Sequence, residues 1–157
     1  MNVDVVGHSL GARGVVLALY EVASRQPDIR LGHVVLLAPD MDFDIFARML
    51  PRIEPIVDSL TVYVASGDKP LALSRQVHGY PRLGEAGNDV SRIKGVEVID
   101  LSDLPGNSPT GHLYHIYSPD VGADLQQLLN EGKLAGERSG LVAQNDNLWT
   151  FSLVAQD

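Results

Sequence analysis

The sequence predicts an α/β protein, a three-layer sandwich in which helices cover both faces of a mostly parallel sheet. Short apolar runs typical of strands alternate with helical segments from residue 3 to residue 129. Such alternation indicates parallel strands joined by helical crossovers. Residues 33–38 form an apolar run without polar alternation, as expected for a strand that is covered on both faces. The length of 157 residues suits one domain.

The predicted elements follow from apolar periodicity and from helix start and stop signals. Strands are predicted over residues 3–6, 33–38, 60–65 and 96–101. Helices are predicted over residues 12–26, from Phe43 to a stop at Pro51, over 71–77, and from a Ser118 N-cap with Pro119 in first position. The first helix is apolar almost all round, so we expect it to be well buried. Residues 79–95 are rich in Gly, Pro and charge and indicate an irregular surface excursion.

Composition excludes several classes of function. The net charge is −8 and Lys and Arg do not cluster, which argues against nucleic acid and anionic membranes as partners. There are no cysteines, so disulfides and thiolate metal sites are excluded. No segment is typical of a signal peptide or a membrane helix. The sequence leaves the compartment open, with the cytoplasm as the default expectation.

The segment Gly7-His8-Ser9-Leu10-Gly11 directly follows the first predicted strand and begins the first predicted helix. Strand, Gly-x-Ser-x-Gly and helix together are the context of a nucleophile elbow, a tight turn that exposes a reactive serine. Glycines two places on either side leave room for that turn. The backbone N–H of Leu10, at the helix N-terminus, would stabilise an oxyanion. The alternative interpretation is that Ser9 is an ordinary N-cap.

Two further polar residues follow other predicted strands at the same end of the sheet. Asp68 follows the third strand and His112 lies beyond the fourth. The order serine, acid, histidine is that of the α/β-hydrolase triad. His112 would take the proton of the Ser9 hydroxyl as general base, and Asp68 would hold the imidazole in the required tautomer.

Alternatives to these assignments remain open at this point. Asp40 follows the second strand and is the rival acid, while His115 is the rival base. Asp68 would otherwise serve only as the N-cap of the next helix. His112 would otherwise be a solvated loop histidine. His8 is interpreted as a spacer within the elbow.

Four segments together resemble a known group of proteins. They are Gly7-His8-Ser9-Leu10-Gly11, Leu37-Ala38-Pro39-Asp40-Met41-Asp42, Ser66-Gly67-Asp68-Lys69-Pro70-Leu71-Ala72-Leu73-Ser74 and Gly111-His112-Leu113-Tyr114. They resemble the uncharacterised, esterase- or lipase-like bacterial α/β hydrolases of the domain of unknown function 900 type. The resemblance runs from Met1 to about Leu129. It implies an ester hydrolase that works through an acyl-enzyme on Ser9, with Asp68 as acid, His112 as base and no cofactor.

The resemblance also implies a departure from the family pattern. In such hydrolases the elbow follows the fifth strand of an eight-strand sheet, whereas here it follows the first, so the chain is expected to be a partial α/β-hydrolase fold, the C-terminal half. Residues 1–130 would form this partial domain, and residues 131–157 a tail with an edge strand over 148–154. The expected partners are a small ester and, at the bare edge of strand 3–6, a second copy or the missing half. The loop with the second oxyanion donor would be missing, so the hydrolase would be impaired. The competing prediction is a catalytically silent fragment or interaction module.

Overall fold

A computed structural model describes residues 3–105, 110–114 and 118–152 of the chain. The strands are β1 (Val5–His8), β2 (Leu31–Leu37), β3 (Val57–Val64), β4 (Val96–Asp100), β5 (Leu141–Ala143) and β6 (Leu148–Phe151). The α-helices among the described residues are α1 (Leu10–Arg25), α2 (Phe43–Ile53), α3 (Lys69–His78) and α4 (Pro119–Glu131). Short 3-10 helices lie at Glu54–Ile56, Val90–Ile93 and Ala135–Glu137. None of the described helices has the length and apolarity needed to cross a bilayer.

The six strands form one sheet in the order β1-β2-β3-β4-β6-β5. Every neighbouring pair is parallel except the β5–β6 hairpin, which is antiparallel. The predicted α/β fold with a mostly parallel sheet is confirmed. Because the strands β1 to β4 run the same way, their carboxyl ends meet at one edge of the sheet, where the loops after each strand can come together.

Successive residues of β2 divide the core between the two faces of the sheet. Val34 and Leu36 pack with α1 and α2 on one face, whereas Val35 and Leu37 pack with α4 on the other. All four are buried, which explains why the strand shows no polar alternation. The helices therefore form the outer two layers of the predicted sandwich.

Three predictions about the elements were wrong in detail. Pro51 does not stop α2, which runs on to Ile53, because a proline in the last turn removes only one helical hydrogen bond. Helix α1 is buried on one face only, and Leu17 on its outer face is half exposed. Residues 79–95 are irregular but not a surface excursion, since Leu83 and Ile93 lie in the core.

The sequence predicted that the strand in the tail lies at an edge of the sheet, and this prediction was wrong. β6 lies between β4 and β5, and β5 forms that edge of the sheet. Ion pairs also hold the tail: Arg138 contacts Asp124 of α4 at 2.7 Å and Glu97 of β4 at 2.8 Å. The hydroxyl of Tyr63 donates to the same Asp124 carboxylate. The side chains of Arg138 and Asp124 are buried, so this network places an ion pair inside the protein. Burial is also the main reason that the pKa of Asp124 is raised.

Candidate active site

The elbow is a one-residue turn between β1 and α1. β1 ends at His8 and α1 begins at Leu10, which leaves only Ser9 between them. Ser9 has φ 54° and ψ −122°, a conformation that costs a non-glycine residue on the order of 1–3 kcal/mol and clusters at functional sites. Its backbone is fixed from both sides, because its N–H donates to Leu37 at 2.9 Å and its carbonyl accepts from Asp40 at 3.1 Å.

The two glycines of the motif differ in the space around them. A Cβ on Gly7 would lie 2.7 Å from the Cα of Ala12, which is closer than atoms of this kind approach. A Cβ on Gly11 would meet nothing within 4 Å. Gly7 therefore allows α1 to pack against the end of β1, whereas the space around Gly11 does not require a glycine.

The side chain of Ser9 does not act as a helix cap, since it makes no hydrogen bond to the first turn of α1. The N–H of Leu10, the first residue of α1, lies outside the helical hydrogen-bond ladder. No acceptor among the described residues takes that N–H. A serine hydroxyl and a backbone donor thus lie on adjacent residues.

Asp68 has two partners, one for each carboxylate oxygen. It is the N-cap of α3, where Oδ1 accepts from the N–H of Leu71 at 3.0 Å. Its Oδ2 lies 2.7 Å from Nδ1 of His112. A carboxylate only accepts, so the proton of the neutral imidazole is on Nδ1 and Nε2 is left as an acceptor. Asp68 and His112 are both buried, which strengthens such a bond relative to one in water.

The segment that carries His112 is tied to the rest of the sheet edge. The N–H of Lys69 donates to Thr110 at 3.2 Å. Two residues after the histidine, the hydroxyl of Tyr114 accepts from the N–H of Ala38 and donates to the carbonyl of Tyr63 at 3.0 Å. Burial raises the pKa of Tyr114 well above its ordinary value, so this hydroxyl keeps its proton. These bonds fix the histidine segment to β2, β3 and α3.

The rival candidates have other neighbours. Asp40 pairs with Arg82, whose Nε lies 2.7 Å from Oδ1, and the same oxygen accepts from the hydroxyl of Ser74 at 2.7 Å. The structure therefore pairs His112 with Asp68 and not with Asp40. His115 lies outside the described residues.

Ser9 and His112 share no hydrogen bond among those of the described residues. The histidine does, however, reach the elbow at the residue before the serine. Nε2 of His8 lies 3.1 Å from the carbonyl oxygen of His112, and the two ring centroids are 4.6 Å apart. The sequence interpretation treated His8 as a spacer and missed this contact, for which no local pattern gives a signal.

A cleft lies between α1, the start of α2 and the end of α3. It encloses about 330 Å³, and neither Ser9 nor His112 is among the residues that line it. Its walls are both apolar and polar, namely Arg13, Leu17, Met41, Asp42, Ile45, His78, Tyr80 and Arg82. Within residues 3–105, 110–114 and 118–152, no cluster of three or more His, Asp or Glu side chains has the arrangement of a metal site.

Comparison with known proteins identifies one family. Residues 1–131 match the family described as "Alpha/beta hydrolase of unknown function (DUF900)", so β5 and β6 lie beyond the matched segment. Searches of curated proteins and of solved structures found no match. The matched segment covers most of the chain and contains the elbow, Asp68 and His112. The chain therefore belongs to this family of alpha/beta hydrolases of unknown function.

Proposed function

We propose that the protein is a serine hydrolase of the carboxylesterase type, with Ser9 as nucleophile, His112 as general base and Asp68 as the orienting acid. The observation that carries the proposal is the 2.7 Å contact between Asp68 Oδ2 and His112 Nδ1. It leaves the second ring nitrogen as the acceptor that a serine hydroxyl needs. A strained serine on a one-residue turn completes the arrangement.

The reaction follows from these roles. Ser9 Oγ attacks the acyl carbon of the ester while Nε2 of His112 takes the hydroxyl proton, and Asp68 stabilises the imidazolium. The N–H of Leu10 donates to the oxyanion of the tetrahedral intermediate. Collapse breaks the bond to the alcohol oxygen, which receives the proton from His112, and an acyl-enzyme remains. Water then attacks the acyl carbon with His112 again as base, which releases the acid and restores Ser9.

No hydrogen bond between Ser9 and His112 is needed before substrate binds. Catalytic hydrogen bonds are often long in the unliganded state and tighten in the complex. The contact of His112 with His8 holds the histidine beside the elbow. We propose an ester as the substrate, because an acyl carbon is what a serine nucleophile with a histidine base attacks.

The test is labelling by a fluorophosphonate, which reacts only with a serine that a working base activates. We expect labelling of the folded protein and slow hydrolysis of a short p-nitrophenyl ester. Ser9→Ala should abolish both. Ser24→Ala is the matched control, because Ser24 is an exposed serine of α1 whose hydroxyl donates to the carbonyl of Tyr20 and accepts from Arg52. Labelling that persists in Ser9→Ala would refute the assignment.

The second candidate is a silent interaction module that binds through the edge of the sheet. Among the described residues, β1 pairs with β2 alone, and Val3 and Val6 are 57% and 49% exposed. Asp4 is the one charged residue between Val3 and Val6, and a mostly apolar strand edge without proline is a template for another chain. A folded wild-type protein that the probe does not label would favour this candidate over the hydrolase.

A further inference from the structure

We infer that His8 is a positioning residue, which holds His112 against the elbow through a hydrogen bond to the His112 backbone. This inference rests on the proposed function and assigns a role to the residue between Gly7 and Ser9. His8 is the last residue of β1 and is joined to Ser9 by a peptide bond. A group that is hydrogen-bonded to His8 is therefore held at a fixed place relative to the nucleophile.

The contact defines which atom is the donor. The carbonyl of His112 can only accept, so Nε2 of His8, 3.1 Å away, carries the proton. Burial is the main reason that the pKa of His8 lies below its ordinary value, which keeps the ring neutral near neutral pH. A second cation is thus kept away from the imidazolium that forms on His112 during the reaction.

The two histidines are also packed side by side. Their ring centroids are 4.6 Å apart and the ring planes are inclined at 51°. Asp68 fixes the position of Nδ1 of the His112 ring. His8 thus anchors the main chain of His112 to the end of β1, and Asp68 anchors its ring to the start of α3.

This arrangement divides the work among the partners of the histidine. Asp68 selects the tautomer, and Tyr114 ties the following segment to β2 and β3. Only the bond from His8 links the histidine directly to the elbow among the contacts described. Without it, His112 would keep its partner acid but lose its fixed distance to Ser9.

Two substitutions separate the donor from the ring. His8→Phe keeps a ring of similar size but removes the N–H, whereas His8→Gln removes the ring but keeps a donor at similar reach. Misplacement of a reacting group by about 1 Å can cost on the order of 10²-fold in rate. We expect kcat of His8→Phe to fall by about tenfold to a hundredfold with KM little changed, and His8→Gln to recover most of the loss.

The matched control is His33→Phe. His33 lies in β2, and its Nδ1 contacts the hydroxyl of Ser59 at 2.7 Å, so it touches neither Ser9 nor His112. We expect this variant to keep the wild-type kcat. All rates are taken per site labelled by the fluorophosphonate, which removes unfolded protein from the comparison.

A second readout does not depend on turnover. The proton on Nδ1 of His112, bonded to Asp68, should give a low-field NMR signal, which we expect in wild type and His8→Gln and expect to broaden in His8→Phe. Equal kcat in wild type and His8→Phe with an unchanged signal would overturn the inference, as would equal loss in both His8 variants. If the wild type is neither labelled nor active, the proposed function fails, and the NMR comparison alone then decides whether His8 positions His112.

Discussion

Asp68→Asn separates the catalytic role of Asp68 from its structural one. Asparagine caps a helix about as well as aspartate does, so its side-chain oxygen can still accept from the N–H of Leu71. The amide NH₂ then faces Nδ1 of His112, where the carboxylate stood at 2.7 Å. A donor at that place forces the proton of the imidazole onto Nε2, the atom that must accept the proton of Ser9.

The expected loss of activity is large, and the loss of stability is small. The wrong tautomer lowers kcat by up to ~10⁴-fold, which is about 5.5 kcal/mol of transition-state free energy. By contrast, Asp68→Ala also removes the cap, at about 1 kcal/mol. It also leaves the buried Nδ1–H of His112 without its acceptor, at about 1–3 kcal/mol. The free energy of unfolding should therefore fall clearly in Asp68→Ala and little in Asp68→Asn.

The assay compares turnover of a short p-nitrophenyl ester with urea unfolding for each variant. Asp40→Asn is the control, since Asp40 contacts Arg82 and Ser74 instead of the histidine. We expect this variant to lose stability while it keeps its turnover. Full activity in Asp68→Asn, together with loss in Asp40→Asn, would refute the reasoning and transfer the acid role to Asp40.

Three further predictions concern the elbow, the buried ions and the sheet edge. Gly7→Ala should lower the melting temperature, because its Cβ would lie 2.7 Å from backbone, whereas Gly11→Ala should be stabilising by about 0.5–1 kcal/mol in a helix with open space. Arg138→Met should lower the free energy of unfolding in urea by about 3–5 kcal/mol, because it leaves buried carboxylates without their cationic partner. Arg25→Met is the control, because Arg25 forms an exposed ion pair with Glu21, and its loss should lower the free energy of unfolding by less than about 1 kcal/mol. Sedimentation should show that the chain self-associates at high micromolar concentration and that Val6→Lys restores a monomer; a stable wild-type monomer with a sharp melt would contradict this.

Local chemistry in the sequence is sufficient for β1 to β4, β6, the start of α4 and the elbow, whereas β5 was not predicted. Ser118 and Pro119 begin α4 as predicted, with the hydroxyl of Ser118 accepting from Val121. Ser9 takes the strained conformation at the end of a β-branched run. These features depend on dihedral preferences and on hydrogen bonds that span at most about four residues, so a linear sequence contains the information.

Tertiary packing decided which candidate side chains meet. The sequence placed Asp40 and Asp68 at neighbouring strand ends, and either could have faced the histidine. Arg82 comes from a segment that was predicted to lie on the surface, and it forms an ion pair with Asp40. That leaves Asp68 to pair with His112. No periodicity specifies such a pairing, because it joins residues from separate loops.

The position of β6 and the contact between His8 and His112 were also decided by tertiary packing. Leu148 to Phe151 reads as a strand, but only the packed sheet places it between β4 and β5. Arg138 meets Asp124 and Glu97 there. His8 reaches His112 across more than a hundred residues of chain. The sequence by itself determined which segments become strands and helices, since propensities and caps act locally. The structure decided which of them become neighbours, since burial and charge pairing act between residues that the chain brings together only when it folds.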